Sequence, residues 1–145
     1  MNALKDTLIE LIRRTSAEIP DDVQKVLLSS LEQEQKGTIA ESALKIIQAN
    51  IELARKKSQP ICQDTGSVLF FVDCPVGMDQ LTFADAARQA VKESTAKGYL
   101  RQNSVDSISG KNDGTNLGPG APTLHFHQHR SSETNVRLVL KGGGC

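Results

Sequence analysis

The segment PICQDTG, residues 60–66, holds the densest set of reactive groups in the chain. Cys62, Gln63 and Asp64 place a thiol, an amide and a carboxylate on consecutive positions between a proline and a glycine. Those flanking residues predict a constrained turn, which would expose the sulfur to a ligand. Cys62 is therefore a candidate metal ligand, cluster ligand or nucleophile, and Asp64 is a candidate general base. The alternatives are a partly buried structural thiol and a carboxylate that only forms the turn.

Three histidines form a second candidate group. His125, His127 and His129 alternate along a strand-like run, so all three imidazoles would share one face of a sheet. His-x-His is a spacing found among zinc and non-haem iron ligands, which favours a mononuclear metal-binding module. The alternative is a polar sheet face, because no carboxylate or cysteine lies close in sequence to complete a metal site.

Two cationic positions border glycine-rich segments and could bind an anion. Arg101 opens a long polar loop, residues 101–120, where its guanidinium could hold a carboxylate through two hydrogen bonds or simply cap a helix. Lys141 precedes three glycines, and its ammonium with the free backbone N–H groups of those glycines could form a similar anion pocket. The stretch 110–116 has the composition of an anion-binding turn but matches neither common phosphate fingerprint.

Helices come first among the elements that must position these groups. Residues 1–58 predict three helices, with a break at Pro20 and a capping-box pattern of Thr38 and Glu41 at the start of the third. The apolar residues of the third helix fall on one face: Ile39, Ala43, Ile46, Ile47 and Ala54. The N-terminal part therefore predicts a helical layer.

The remainder of the chain combines strands with one helix. The helix is predicted from 83 to 97, with Thr82 as its N-cap. An apolar run at 68–72 predicts a short strand that is buried on both faces. Two further strands are predicted near residues 122–129 and 135–140. The fold class is thus α+β, with an N-terminal helical layer followed by mixed strands and one helix.

Composition excludes several classes of function. The 145 residues include 17 basic and 17 acidic side chains, so no net charge favours nucleic acid or an anionic membrane as a partner. No apolar run approaches the roughly 20 residues of a membrane span, and the N-terminus lacks the layout of a signal peptide. Three cysteines without framework spacing indicate free thiols or metal ligands. Together these features predict a cytoplasmic protein.

Four motifs, taken in order, resemble the iron–sulfur hydro-lyases, which are the class I (iron-dependent) fumarases and the α subunits of L(+)-tartrate dehydratase. They are Pro-x-Cys-Gln-Asp-Thr-Gly at 60–66, Leu-Arg at 100–101, Asn-Asp-Gly-Thr-Asn at 112–116 and Lys-Gly-Gly-Gly at 141–144. The resemblance covers essentially the whole chain, and the first and last motifs are the most specific. It implies reversible hydration and dehydration of a small dicarboxylate, fumarate/malate or tartrate.

The resemblance also implies a role for each candidate site residue. Cys62 is implied to be one thiolate ligand of a [4Fe–4S] cluster, whose open iron binds the substrate. Asp64 is implied to be catalytic, handling a proton at the hydroxyl side of the substrate. The implied substrate-binding residues are Gln63, Asp64, Arg101, Lys141 and Gly144.

Members of the family that the chain resembles continue beyond the Lys-Gly-Gly-Gly motif, and their other cluster cysteines lie in that later region. Residues 1–145 are thus expected to be a truncated, N-terminal portion of a larger α-subunit domain, with a helical layer at 1–58 and a site region at 59–145. A β subunit or C-terminal domain would complete a hetero-oligomer, and the isolated chain would be inactive. Cys145 is interpreted as a pocket residue or, alternatively, as a second cluster ligand.

Two other interpretations remain open. One is a truncated, non-catalytic remnant or assembly partner, whose N-terminal helices pack against another subunit. It predicts a stable fold or complex without a cofactor. The other is the mononuclear metal module on the strand of His125, His127 and His129, which predicts metal binding that survives loss of Cys62 but not loss of His127.

Overall fold

Four helices and a three-stranded sheet make up residues 2–143, the part of the chain that the computed structural model describes. The helices are α1 (Asn2–Ala17), α2 (Asp21–Gln33), α3 (Ile39–Lys57) and α4 (Gln80–Ala96). The strands are β1 (Ser67–Pro75), β2 (Thr123–His129) and β3 (Asn135–Lys141). The predicted α+β class is therefore confirmed, and the last two strands lie close to their predicted positions.

The sheet has the order β2-β1-β3, with β1 in the centre, parallel to β2 and antiparallel to β3. Ser67 at the start of β1 pairs with Lys141 at the end of β3, and Leu69 pairs with Thr123 at the start of β2. Because β1 and β2 are parallel, the chain must cross over between them, and it does so through α4 and the loop 101–120. The loop, the start of β1 and the end of β3 therefore meet at one edge of the sheet.

The central strand is longer and more one-sided than its apolar run predicts. The prediction of a strand at 68–72 buried on both faces is wrong, because β1 spans Ser67–Pro75 and only alternate positions are buried. The buried positions are Val68, Phe70, Val72 and Cys74. Within the described residues, helices α1 and α4 pack on that face alone, so the other face of the sheet is open to solvent.

The hydrophobic core lies between the covered face of the sheet and helices α1 and α4. Leu8 and Ile12 of α1 belong to one buried cluster with Phe70 of β1 and with Ala87 and Val91 of α4, and each of these five is at most 1% exposed. Burying a large apolar side chain contributes roughly 1.5–3 kcal/mol to stability. This core therefore fixes α4 and β1, the two elements that flank the loops of the candidate site.

Helix α4 begins at Gln80, earlier than predicted, because Asp79 rather than Thr82 is its N-cap. The Asp79 carboxylate accepts hydrogen bonds from the backbone N–H of Thr82 at 3.0 Å and from its hydroxyl at 2.6 Å. Both residue types are favourable caps, so local sequence does not decide between them. The predicted end is close to the observed one, since the helix stops at Ala96 and Gly98 follows with φ +77°.

Helices α2 and α3 form a hairpin that packs largely on itself. Thr38 caps α3 as predicted, because its side chain accepts the N–H of Glu41 at 3.1 Å. The apolar face predicted for α3 is mostly exposed within the described residues, with Ile39 at 90% and Ile46 at 70% exposure. No helix in residues 2–143 is long and apolar enough to cross a membrane.

Candidate active site

The loop that carries Cys62 and Asp64 connects α3 to β1 and is tied to two helices. The backbone N–H of Ile61 donates to the carbonyl of Ser16 in α1 at 3.0 Å. The side-chain amide of Asn50 in α3 donates to the carbonyl of Ile61, also at 3.0 Å. The thiol of Cys62 is exposed. The structure thus shows the constrained turn with an exposed sulfur that the flanking proline and glycine predict.

Gly66 closes this loop at a position that no other residue fits. Its φ is +71°, and a Cβ there would overlap the backbone carbonyl of Lys141. Residues with a side chain rarely adopt that backbone conformation. The positive φ and the lack of space beside Lys141 therefore each favour glycine. The loop therefore lies directly against the end of β3 and the glycine segment that follows it.

Asp64 lies where three separate segments meet. One of its carboxylate oxygens accepts a hydrogen bond from the side-chain amide of Asn103, and the other accepts one from the backbone N–H of Gly143, both at 3.1 Å. These donors belong to the polar loop and to the glycine segment. The side chain is half-buried, so the carboxylate is both oriented and accessible. A general base needs both properties.

Two cavities adjoin Asp64. The larger, of about 740 Å³, has Asn103, Lys111 and Gly143 in its wall. The smaller, of about 280 Å³, is lined in part by Cys62. Asp64 lines both. The carboxylate is therefore placed to contact a small molecule in the larger cavity and a group bound near the sulfur.

The other predicted site residues in the described part of the chain are Gln63, Arg101 and Lys141. The backbone N–H of Arg101 donates to the hydroxyl of Thr65 at 2.9 Å, which fixes its main chain beside the site loop. Its side chain is exposed, as are Gln63 and Lys141, and these three line neither cavity. The structure therefore brings Cys62 and Asp64 together at one cavity, whereas Arg101 and Lys141 are not part of either cavity wall.

Short polar side chains order the loop 101–120. The Asp106 carboxylate accepts the backbone N–H of Ser109 at 2.6 Å, and the Asp113 carboxylate accepts the hydroxyl of Thr115 at 2.7 Å. The Ser109 N–H lowers the pKa of Asp106, and the Thr115 hydroxyl lowers the pKa of Asp113. Both carboxylates therefore act mainly as acceptors that shape the loop.

Sequence reasoning misses two asparagines of this loop. Asn103 contacts Asp64 although 39 positions separate them, and no local pattern marks such a pair. Asn116 is 6% exposed and hydrogen-bonds to the backbone of the segment 101–104. Its only signal is its place at the end of the Asn-Asp-Gly-Thr-Asn motif.

The three histidines make separate contacts on the open face of the sheet. The ring of His125 stacks on Phe71 with centroids 4.8 Å apart, and His127 Nδ1 lies 3.5 Å from an Asp73 carboxylate oxygen. His129 Nδ1 lies 2.9 Å from the Ser131 hydroxyl. Across residues 2–143 no group of three His, Cys, Asp or Glu side chains could hold a metal ion. The geometry therefore favours the polar sheet face over the mononuclear metal module.

A family model described as fumarate hydratase (fumerase) matches residues 5–145. The chain belongs to the fumarate hydratase family. The resemblance carried by the four sequence motifs is thereby confirmed. Membership covers nearly the whole chain, so the helical layer, the site loop and the polar loop all belong to the family's fold.

Relatives within the fumarate hydratase family carry two kinds of name. A Geobacillus stearothermophilus protein, provisionally named a class I fumarate hydratase, is 41% identical over 145 residues, 100% of this chain and 28% of its own length. The Escherichia coli L(+)-tartrate dehydratase subunit α is 28% identical over 147 residues, 100% of this chain and 48% of the subunit. A Methanocaldococcus jannaschii protein, provisionally named an L(+)-tartrate dehydratase subunit α, is 26% identical over 146 residues, 97% of this chain and 51% of its own length. The chain thus spans 28% to 51% of these relatives.

The fumarate hydratase resemblance implies an iron–sulfur cluster, and the positions of the cysteine thiols show whether the chain could hold one. Such clusters are held by several cysteine thiolates. Cys62 is exposed beside the site, whereas Cys74 is fully buried in the core under α1 and α4. The predicted site residue Gly144 and the ambiguous Cys145 lie outside the described residues. Residues 2–143 therefore fit one ligand position of a cluster rather than a complete cluster site.

Proposed function

We propose that this chain binds the substrate and handles its proton in a [4Fe–4S]-dependent hydro-lyase. The reaction is the reversible addition or removal of water at a small dicarboxylate, fumarate/malate or tartrate. The observation that carries the proposal is the pair of donors, Asn103 and Gly143, that orient Asp64 beside an exposed Cys62. The family match over residues 5–145 and the names of the relatives support this reaction class.

Asp64 handles the proton at the hydroxyl side: it gives a proton to the hydroxyl group that leaves in dehydration, and it takes one from the water that adds in hydration. Because donors hold both of its oxygens, the carboxylate meets the substrate in one orientation, and such preorientation lowers the barrier to proton transfer. The adjoining cavity of about 740 Å³ has a volume typical of small-molecule sites.

A dicarboxylate carries two negative charges, and its recognition needs cations and N–H donors. Arg101 and Lys141 are assigned to the substrate carboxylates, with the amide of Gln63 and the backbone N–H of Gly144 as additional donors. Arg101 suits this role because a guanidinium matches a carboxylate through two parallel hydrogen bonds. Its backbone bond to Thr65 supports the assignment, since it keeps Arg101 beside the loop that carries Asp64.

Cys62 is assigned as one thiolate ligand of the cluster. When bound, the cluster supplies a Lewis-acidic iron for the hydroxyl that leaves or enters. Its other ligands come from outside the described residues, and the greater length of the relatives supports a source in a β subunit or a C-terminal domain. In this proposal residues 1–145 form the N-terminal portion of a larger α-subunit domain in a cytoplasmic hetero-oligomer.

The cluster assignment is tested by expressing the chain with its complementing subunit or domain and reconstituting it anaerobically with iron and sulfide. We expect Cys62→Ala to lose the broad visible absorbance of the cluster together with fumarate or tartrate turnover. Cys74→Ala is the matched control and should retain both, because Cys74 lies in the core. Full cluster absorbance in Cys62→Ala would refute the assignment.

The exposed apolar face of α3 favours a second candidate function, a non-catalytic assembly partner. Ile39 and Ile46 are 90% and 70% exposed, and large apolar patches of this kind commonly mark contacts with another chain. This candidate predicts that the wild-type chain forms its complex without iron and that the complex shows no dicarboxylate turnover after reconstitution. Turnover that depends on Cys62 would exclude it.

A further inference from the structure

Asn116 is a buried side chain whose hydrogen-bonding capacity is fully used. It is 6% exposed and has φ +57°, the left-handed conformation that asparagine tolerates better than most residues. A side-chain amide can accept two hydrogen bonds and donate two. Asn116 makes all four of these bonds within the described residues. Its orientation is therefore fixed from both ends of the amide.

Three of the four bonds reach the backbone of the segment 101–104. The Asn116 Oδ1 accepts the N–H of Asn103 at 3.0 Å and of Ser104 at 3.1 Å. The Asn116 Nδ2 donates to the carbonyl of Arg101 at 2.6 Å. One side chain thus sets the path of the whole segment, which has no helix or strand of its own to hold it.

The fourth bond anchors this arrangement to the core. Asn116 Nδ2 donates to the hydroxyl of Thr95 at 3.1 Å, and that hydroxyl in turn donates to the carbonyl of Val91 at 2.8 Å. Thr95 and Val91 are buried residues of α4. The position of Asn116 is therefore set by a helix packed in the core rather than by the loop alone.

The far end of the segment reaches the candidate site. Asn103, whose backbone is held by Asn116, donates its side-chain amide to the Asp64 carboxylate at 3.1 Å. Arg101, whose carbonyl is held by Asn116, donates its backbone N–H to Thr65, the neighbour of Asp64. A continuous chain of hydrogen bonds therefore runs from α4 through Asn116 to the carboxylate.

We propose that Asn116 is a positioning residue of the hydro-lyase site. It acts through Asn103 on the orientation of Asp64 and through the backbone of Arg101 on the placement of that guanidinium. The inference rests on the proposed function for the roles of Asp64 and Arg101, whereas the positioning itself rests on the hydrogen bonds. Buried polar networks that are fully satisfied specify one arrangement, and losing a member leaves the other groups unpaired.

The test compares Asn116→Gly with the control Asn135→Ala in the complete enzyme, the chain with its complementing subunit or domain. Glycine keeps the left-handed backbone accessible, so the variant removes the amide without adding strain. Asn135 is an exposed residue at the start of β3, away from the site. We expect amide hydrogen exchange at Asn103 and Ser104 to become about tenfold faster or more in Asn116→Gly. The control should leave both amides unchanged.

Steady-state kinetics separate positioning from a general loss of stability. We expect kcat to fall roughly 10- to 100-fold in Asn116→Gly at a temperature where the protein stays folded, the size of effect that small misplacement of a catalytic group produces. The loss should be less than additive with that of Asn103→Ala, because Asn116 acts through Asn103. In Asn116→Asp, which keeps the acceptor for Asn103 and Ser104, kcat should recover in part.

Three results would overturn the proposal or its basis. Unchanged exchange at Asn103 and Ser104 would refute the positioning role by itself. Faster exchange and a lower melting temperature with unchanged kcat and KM would show that Asn116 only stabilises the loop, which also refutes the proposal. A reconstituted wild-type enzyme that is inactive on every dicarboxylate would instead refute the proposed function, and the exchange result would then show only the loop contact.

Discussion

Single residues of the site loop combine chemical groups with strict backbone requirements. Asp64 accepts the backbone N–H of Gly143 only if the loop lies against the segment after β3, and Gly66 permits that approach. Gly66 has φ +71°, and the Lys141 carbonyl lies where a Cβ would be, so there is no room for a side chain. A substitution that moves the backbone of Gly66 is therefore expected to move the Asp64 carboxylate as well.

Gly66→Ala is expected to lower the free energy of unfolding by about 2 kcal/mol or more, because the left-handed φ and the overlap with Lys141 both oppose the methyl group. Urea unfolding followed by circular dichroism measures the loss. Gly77→Ala is the matched control, since Gly77 has φ +87° but a methyl group there would have no neighbouring atom within 4 Å. Equal losses in the two variants would contradict a close approach at Gly66.

The site residues differ in how much of their role the sequence can predict. Cys62 and Asp64 stand out because their reactive groups are adjacent and lie between a proline and a glycine. Asn103 does not, since its contact with Asp64 joins residues 39 positions apart and depends on the crossover between β1 and β2. Such contacts arise from tertiary structure, which local patterns do not encode.

Secondary-structure elements position the site through the packing of α1 on α4. Lys5 of α1 and Lys97, just after α4, both bind the Glu93 carboxylate, at 2.9 and 2.8 Å. The hydrogen bonds from Lys97 and Lys5 lower the pKa of Glu93 from 4.5 to about 2. Because the carboxylate is partly exposed, solvent screens these ion pairs and their contribution depends on salt.

The depressed pKa of Glu93 predicts a pH-dependent contribution to stability. A group with a lowered folded-state pKa stabilises the fold above its unfolded pKa and loses that effect as the pH falls through the folded value. We therefore expect wild type to exceed Glu93→Gln in urea midpoint at neutral pH, with the difference shrinking between pH 4.5 and about 2. Glu133→Gln in the exposed β2–β3 turn controls for the change in net charge. A difference that is as large at pH 2 as at neutral pH would contradict the ion-pair origin.

Element types were more predictable than element details. Strands β2 and β3 follow from strand-like runs of residues, and the start of α3 follows from its Thr38 cap, because both signals are local. The N-cap of α4 is not decided locally, since Asp79 and Thr82 are both suitable caps. The one-sided burial of β1 depends on which face of the sheet the helices cover, and an apolar run alone does not predict which face that is.

At the scale of the whole molecule, the described fold presents a site edge and two uncovered surfaces. The site edge combines the loop of Asp64, the polar loop and the end of β3. The uncovered surfaces are the outer face of the sheet and the apolar face of α3. The chain spans 48% of the Escherichia coli tartrate dehydratase subunit α, and in our proposal the other cluster ligands come from outside the described residues.

The most direct test of the proposal is the steady-state rate of the reconstituted complete enzyme with Asp64→Asn, assayed with fumarate, malate and tartrate. We expect kcat to fall about 100-fold or more on the substrate used by wild type, because the amide cannot take up the proton, while cluster absorbance stays unchanged. Asp73→Asn is the matched control. Asp73 pairs with Arg137 on the open sheet face, so this substitution should leave kcat unaltered. A wild-type kcat in Asp64→Asn would contradict the assignment of Asp64 as the proton-handling residue.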